Sequence, residues 1–264
     1  MMEQDEWISG NIGLTIHGIP MEFDLTVPAK PVKPQRMLPI FQQMANTMVD
    51  FSIEGVKAEG ESISCKASCG ACCRQSVPIA ESEIYHIADF VESMPEPRRS
   101  VIKKRFADGA EHFHKTGWFD RTIDLRKTAA EKGPEQTMKE WVEIVLSYFR
   151  EQVACPFLEN ESCSIHEVRP VACREYMVVS PAQNCSDLSP SNVRGVNLLI
   201  KPSQALNKLG VSGRLDSIGF PVLIRALELA EMFPENFPEK TGPEWMKDFF
   251  TELAESDIPE EKKD

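Results

Sequence analysis

The chain has 264 residues, 42% of them hydrophobic and 27% charged, a balance that excludes a disordered or fibrous protein and allows one cored unit or two small ones. Its 29 basic against 41 acidic residues leave a net charge of -12, a field that repels phosphate backbones and anionic headgroups, so no nucleic acid and no membrane is expected as a partner. Met1 to Trp7 lacks the basic and apolar runs of a secretory leader, no stretch approaches a bilayer span, and a cytoplasmic location is expected.

From Gly13 to Val27 apolar and polar residues alternate on either side of Gly18-Ile19-Pro20, which predicts a small hairpin. A Pro-rich connector, Pro28 to Pro34, follows. Met37, Ile40, Phe41, Met44, Met48 and Phe51 recur at helical spacing and predict a helix that ends before Glu59-Gly60-Glu61. Beyond a cysteine-dense loop, Ile84, Ile87, Ala88, Val91 and Met94 mark a second helix, with Glu81 and Glu83 in the first turn, where the helix dipole favours acids. Pro97 to Lys132 is read as partly helical, and Met138 to Val153 as a helix of about four turns that leads into Cys155-Pro156. Ser189 to Ser203 reads as a loop, its apolar run Val196 to Ile200 being either a strand or a buried turn. Pro221 to Phe233 and Pro243 to Leu253 each carry proline where a first helical turn tolerates it, and the charged tail from Ser256 is expected to fray.

All eight cysteines fall into two groups. The first, Cys65, Cys69, Cys72 and Cys73, crowds four thiols around Gly70, a residue free to take whatever backbone conformation a tight loop demands. Thiolates so crowded repel one another unless a cation or cluster neutralises them. The second, Cys155, Cys163, Cys173 and Cys185, is spaced too widely to close a knuckle on itself and is expected to supplement the first from a distance. Neighbouring Cys72 and Cys73 do not easily point the same way, so one of them is open to serving a different metal or none. Sulfur donors suit an iron-sulfur cluster, the first choice, or Zn2+, the second. Arg169 and Arg174, beside the second group, are the candidate cofactor-binding residues, cations able to offset cluster charge. His166 is a possible substitute ligand, His112 and His114 read as surface residues, and Phe157, Tyr176 and Trp141 are candidates for walling the site from water.

The run CxxxCGxCC at Cys65 to Cys73, with CPFL at Cys155, CSI at Cys163, RP at Arg169 and CR at Cys173, resembles the YkgJ-type cysteine-cluster family, described as zinc- or iron-chelating. The resemblance spans Cys65 to Cys185 and implies a chelating module rather than a particular reaction. A related module in flagellin lysine methyltransferases implies an enzymatic alternative. The chain departs from the family pattern at His166, where tyrosine is common, and in its long insert from Ser76 to Ala154.

The expected architecture is mainly α, an irregular helical domain organised around a cysteine-ligated metal centre with a small N-terminal β-hairpin. The segments are 1–34, hairpin and connector; 35–190, the cysteine-cluster domain; 191–255, a C-terminal helical extension; and 256–264, a charged tail. The expected function is metal binding with a redox, sensing or structural role. The alternatives are a cysteine-cluster-dependent enzyme, lysine methyltransferase-like or oxidoreductase, and a metal-delivery or assembly factor. A metal ion or cluster is the expected partner, with a protein partner possible. Phosphate-loop, dinucleotide, zinc-protease and serine-elbow patterns are missing from the sequence, which leaves catalytic residues unassigned.

Overall fold

A computed structural model of the chain describes residues 6–16, 19–187, 192–213 and 218–255. Among them are eight α-helices and two small antiparallel sheets, so the fold is mainly α with an N-terminal hairpin. The hairpin is longer than its alternation suggested. β1 (Trp7–Ile16) pairs with β2 (Ile19–Pro28), Ile8 facing Val27 and Ile12 facing Phe23. Ile19 and Pro20 already belong to β2, and Gly18 of the expected turn lies outside the described residues. Phe23, Leu25 and Val27 alternate inward and are buried, while Ser9–Thr26 and Asn11–Asp24 hydrogen-bond across the other face.

Helix α1 (Leu38–Ala58) follows the connector and buries Leu38, Phe41, Met44, Ala45 and Met48, as its period requires. Phe51, counted on that stripe, is instead 39% exposed, while Val49 and Ser52 take the buried positions around it. α2 (Glu81–Glu92) and α3 (Arg98–Lys115) come next, and α3 with the first half of α4 (Trp118–Arg150) turns nearly all of the segment read as only partly helical into helix. Gly133, at φ 77° and ψ 169°, breaks α4 internally, and Pro134 sits where a restarting helix accepts it.

Val196 to Ile200 forms neither a strand nor a turn but an irregular stretch: Val196 N–H donates to the Met177 carbonyl, a single bridge joins Val178 to Gly195, and Leu198 and Ile200 are buried while Asn197 is exposed. A seven-residue helix the sequence did not suggest, α6 (Pro202–Lys208), precedes α7 (Ala226–Met232) and α8 (Gly242–Glu255). The expected frayed tail, 256–264, lies outside the described residues.

Three hydrophobic clusters hold these elements together. The first joins β2, α1, α6 and α8, where the rings of Phe41 and Phe249 stack at 4.6 Å and Trp245 is fully buried. The second packs α2, α3 and α7 around Phe157 and Ile165, with Cys155 and Cys163 at its margin. The third lies between α3 and α4, where Phe113 stacks on Tyr148. The cysteine-bearing segments run between these cores. None of the described helices is long and apolar enough to cross a membrane.

Candidate metal centre

The loop between α1 and α2 is held at both ends. At its start the Ser64 N–H donates to the Val178 carbonyl at 2.9 Å and the Ser64 hydroxyl to Val179 at 3.2 Å. At its end, Cys72 and Cys73 sit in a 3-10 turn, Ala71–Arg74, and the Cys73 carbonyl accepts from the Cys155 N–H at 2.7 Å. Backbone bonds thus tie the first cysteine group to the second across about eighty residues of sequence.

The second group hangs on short irregular pieces. β3 (Leu158–Glu159) and β4 (Ser162–Cys163) form a two-residue-loop hairpin. Asn160 and Glu161 both have positive φ, 50° and 57°, as a primed turn demands. Arg74 clamps this hairpin with a two-pronged bond to Glu161, at 2.7 and 3.1 Å, and the Ser68 and Ser162 hydroxyls meet at 3.3 Å. Cys173 lies in α5 (Val171–Glu175), and Cys185 in a 3-10 turn, Ala182–Ser186, which packs against the turn carrying Cys72.

All eight cysteines are free; Cys185 is buried and the other seven are half-buried. Their mutual fields show who neighbours whom. Burial first, then Cys72 and Cys69, raise the Cys65 thiol, against a backbone N–H bond and the Arg169 charge. Burial also raises Cys185, with Cys65, Cys72 and Cys69 adding. Burial pushes Cys155 up to about 12, with Cys163 and Cys72 adding, and drives Cys173 well above its usual value, with Cys155, Cys72, Glu83 and Cys163 adding. Cys72 is raised most by its hydrogen bond to Cys73 and then by burial. The charge of Cys72 thus bears on thiols of both groups, which the Cys73–Cys155 backbone bond and the packing of the two 3-10 turns set side by side. Among the described residues no three His, Cys, Asp or Glu side chains form a ready-made coordination shell, so an ion would have to draw the sulfurs together. The donor set fits a thiophilic metal, since thiols this costly to ionise gain from a cation that replaces their protons.

The two candidate arginines differ. Arg169 lowers Cys65 and Cys72 by its charge, and its Nε is buried without a hydrogen-bond partner. Arg174, 5% exposed, spends its guanidinium on the carbonyls of Arg169 and Glu167 and on Asn46 Oδ1, which makes it a strut from α5 to the preceding turn and to α1. His166 is exposed and bonds Arg169 through Nε2 at 2.8 Å. His112 and His114 pair at the surface with Glu151 and Glu228. Of the three aromatic candidates, Tyr176 hydrogen-bonds Cys185, Phe157 is core beside Cys155 and Cys163, and Trp141 lies against Phe220 at 4.4 Å in the third cluster.

Two residues gain roles their sequence context did not announce. Glu83 is buried: its Oε2 accepts from the Ala80 N–H at 2.9 Å and its Oε1 from the Val171 N–H at 2.8 Å, joining the start of α2 to the start of α5, two residues before Cys173. Gly70 is needed for room rather than for an unusual conformation, its φ being -96°. A Cβ there would meet Leu158 Cδ1 at 2.6 Å and the Glu161 carbonyl oxygen at 3.1 Å. Gly70→Ala is expected to cost about 1–3 kcal/mol by prying the loop from the β3–β4 hairpin, a loss measurable by urea unfolding.

Glu175, also in α5, accepts from the Ser203 N–H at 2.6 Å and the Ser203 hydroxyl at 2.5 Å at the start of α6. Burial nevertheless lifts its carboxyl to about 7. Below the ordinary value of 4.5 both folded and unfolded chains hold the proton. Between there and 7 only the folded chain does, so stability falls as pH rises, by up to about 3 kcal/mol in all. Glu175→Gln should therefore gain stability over the parent between pH 4.5 and 8, and a difference in urea midpoints that stays constant with pH would refute this.

Residues 64–192 match the family model CxxCxxCC, described as "Putative zinc- or iron-chelating domain". The cysteine segment is similar to that family. Its bounds enclose all eight cysteines, both arginines and the α2–α4 insert. No curated protein and no solved structure matches the chain.

Proposed function

We propose that the cysteine segment binds zinc or iron through its cysteines and that the bound centre serves as structural support for the loops that carry them. The observation that carries this reading is the bonding of the Cys65–Cys73 loop to both Cys155 and Val178, which gathers thiols from every cysteine-bearing segment into one neighbourhood. Those segments consist of loops, two-residue strands, 3-10 turns and one five-residue helix, too little regular structure to fix their own positions. A shared metal would supply the missing cross-link, and its binding free energy would become folding free energy.

An iron-sulfur cluster is the first choice and zinc the second. The unpartnered Arg169 Nε beside Cys65 and Cys72 favours the cluster, whose sulfurs accept such hydrogen bonds and whose negative charge a guanidinium offsets. Anaerobic purification followed by metal and sulfide analysis tests the proposal. Iron with matching sulfide and a blue-edge absorption shoulder is expected; zinc without sulfide would select the second choice. A chain that purifies without metal, takes none up and is unchanged by chelator would sink it.

A further inference from the structure

We infer that the eight cysteines build two adjacent metal centres rather than one, with Cys65, Cys69 and Cys185 on one flank of the loop, Cys155, Cys163 and Cys173 on the other, and the vicinal pair Cys72–Cys73 giving one thiolate to each. This inference rests on the metal-binding reading above and deepens it.

The first argument is the way the loop is anchored. Its Cys65 end is bonded to Val178 and Val179, the strand-like stretch that leads into the turn holding Cys185, and that turn packs on the Ala71–Arg74 turn. Its Cys73 end is bonded to Cys155, and Arg74 grips Glu161 in the hairpin that carries Cys163. Different partners thus approach from the two ends of the loop. Cys173 belongs with the second set, because Glu83 ties the Val171 N–H to α2, and Cys173 neighbours Cys155 and Cys163.

Stoichiometry gives the second argument. A closed thiolate site takes four sulfurs, whether the ion is a structural zinc or the cluster is of the four-cysteine type. Each flank supplies three, and the remaining two cysteines are adjacent in the Ala71–Arg74 turn, which is bonded to Cys155 on one side and packs on the turn holding Cys185 on the other. Consecutive residues of a 3-10 turn project about a third of a turn apart, so Cys72 and Cys73 are suited to serve different neighbours while staying close. Crowding all eight thiolates on a single ion would leave half of them without metal contact and their repulsion uncompensated.

Cobalt(II) provides the test, because tetrahedral thiolate sites report it by an intense ligand-to-metal absorption. The full-length chain is reduced, stripped of metal and titrated anaerobically, with free thiols counted by a colorimetric reagent at each point. Saturation is expected at two equivalents, with all eight thiols protected. The paired variants Cys69→Ser with Cys185→Ser, and Cys163→Ser with Cys173→Ser, should each retain one equivalent. Saturation of the parent at one equivalent with thiols left reactive overturns the inference, as does complete loss of cobalt binding in both paired variants while circular dichroism shows them folded. Should the parent bind no cobalt at all, the metal-binding reading itself fails along with it.

Discussion

Metal loading is expected to raise the unfolding free energy of the reduced chain by at least about 4 kcal/mol, the gain that linkage assigns to a ligand held at a thousandfold excess over its dissociation constant. The helical cores are packed without it. Phe41 and Phe249 stack in the first cluster, and Phe113 and Tyr148 in the third, among residues contributed by long helices. The cysteine segments hold their place by a few backbone bonds and by surface-exposed pairs such as Arg74–Glu161, each worth about 1 kcal/mol or less. A centre bridging Cys65 through Cys185 would close loops of about eighty residues and more, and would remove the cost of keeping half-buried thiols close together. Two consequences are measurable. Thermal unfolding followed at the far-UV helical signal should shift upward on loading, and hydrogen exchange should slow most in the Ser64, Cys73 and Cys155 amides rather than in α1 or α8. If exchange slowed equally everywhere, the metal would be stabilising the whole chain instead of its irregular segments.

How much of this could be read from sequence depends on the length scale at which each feature is determined. The stripe of α1, the inward face of β2 and the faces of α2 and α8 follow from periodicities repeated over three turns or several strand residues, and the structure reproduces them. The gathering of cysteines into two motif-bearing groups was equally plain. The β3–β4 hairpin escaped because its turn is Asn160-Glu161, without the glycine that usually marks a primed turn, and its strands are too short to show alternation. Helix α6 escaped because seven residues barely complete two turns. At Gly70 the residue was singled out correctly but for the wrong reason: the constraint is the approach of Leu158 and Glu161, about ninety positions away, which no local pattern encodes. Glu83 illustrates the same limit. Its place in the first turn of α2 was legible from the helix dipole, whereas its second bond, to Val171, exists only because α5 packs beneath it.

Arg174→Ala should cost the metal-free chain about 2–4 kcal/mol, since a buried acceptor left without its donor costs about 1–3 kcal/mol and this change takes the donor from more than one. At 5% exposure the guanidinium donates to three acceptors: the Arg169 carbonyl at 3.1 Å, Asn46 Oδ1 at 3.0 Å and the Glu167 carbonyl at 2.6 Å. Truncation strands the Glu167 carbonyl and Asn46 Oδ1 in a place water reaches poorly, leaves the Arg169 carbonyl only its bond from Gln42 Nε2, and removes the side-chain link from α5 to Asn46 of α1. Because α5 holds Cys173 and the Arg169 carbonyl belongs to the residue that faces Cys65 and Cys72, the same change should loosen the second cysteine flank. Lysine makes the informative comparison: it keeps the charge but offers a single head in place of a planar fork, so it cannot span acceptors on both the Glu167–Arg169 turn and α1 and should recover less than half of the loss. Urea unfolding of the parent, Arg174→Ala and Arg174→Lys chains measures this directly. Full recovery by lysine would mean that charge next to Glu83 and Cys173, rather than the three-way hydrogen bonding, is what this position contributes.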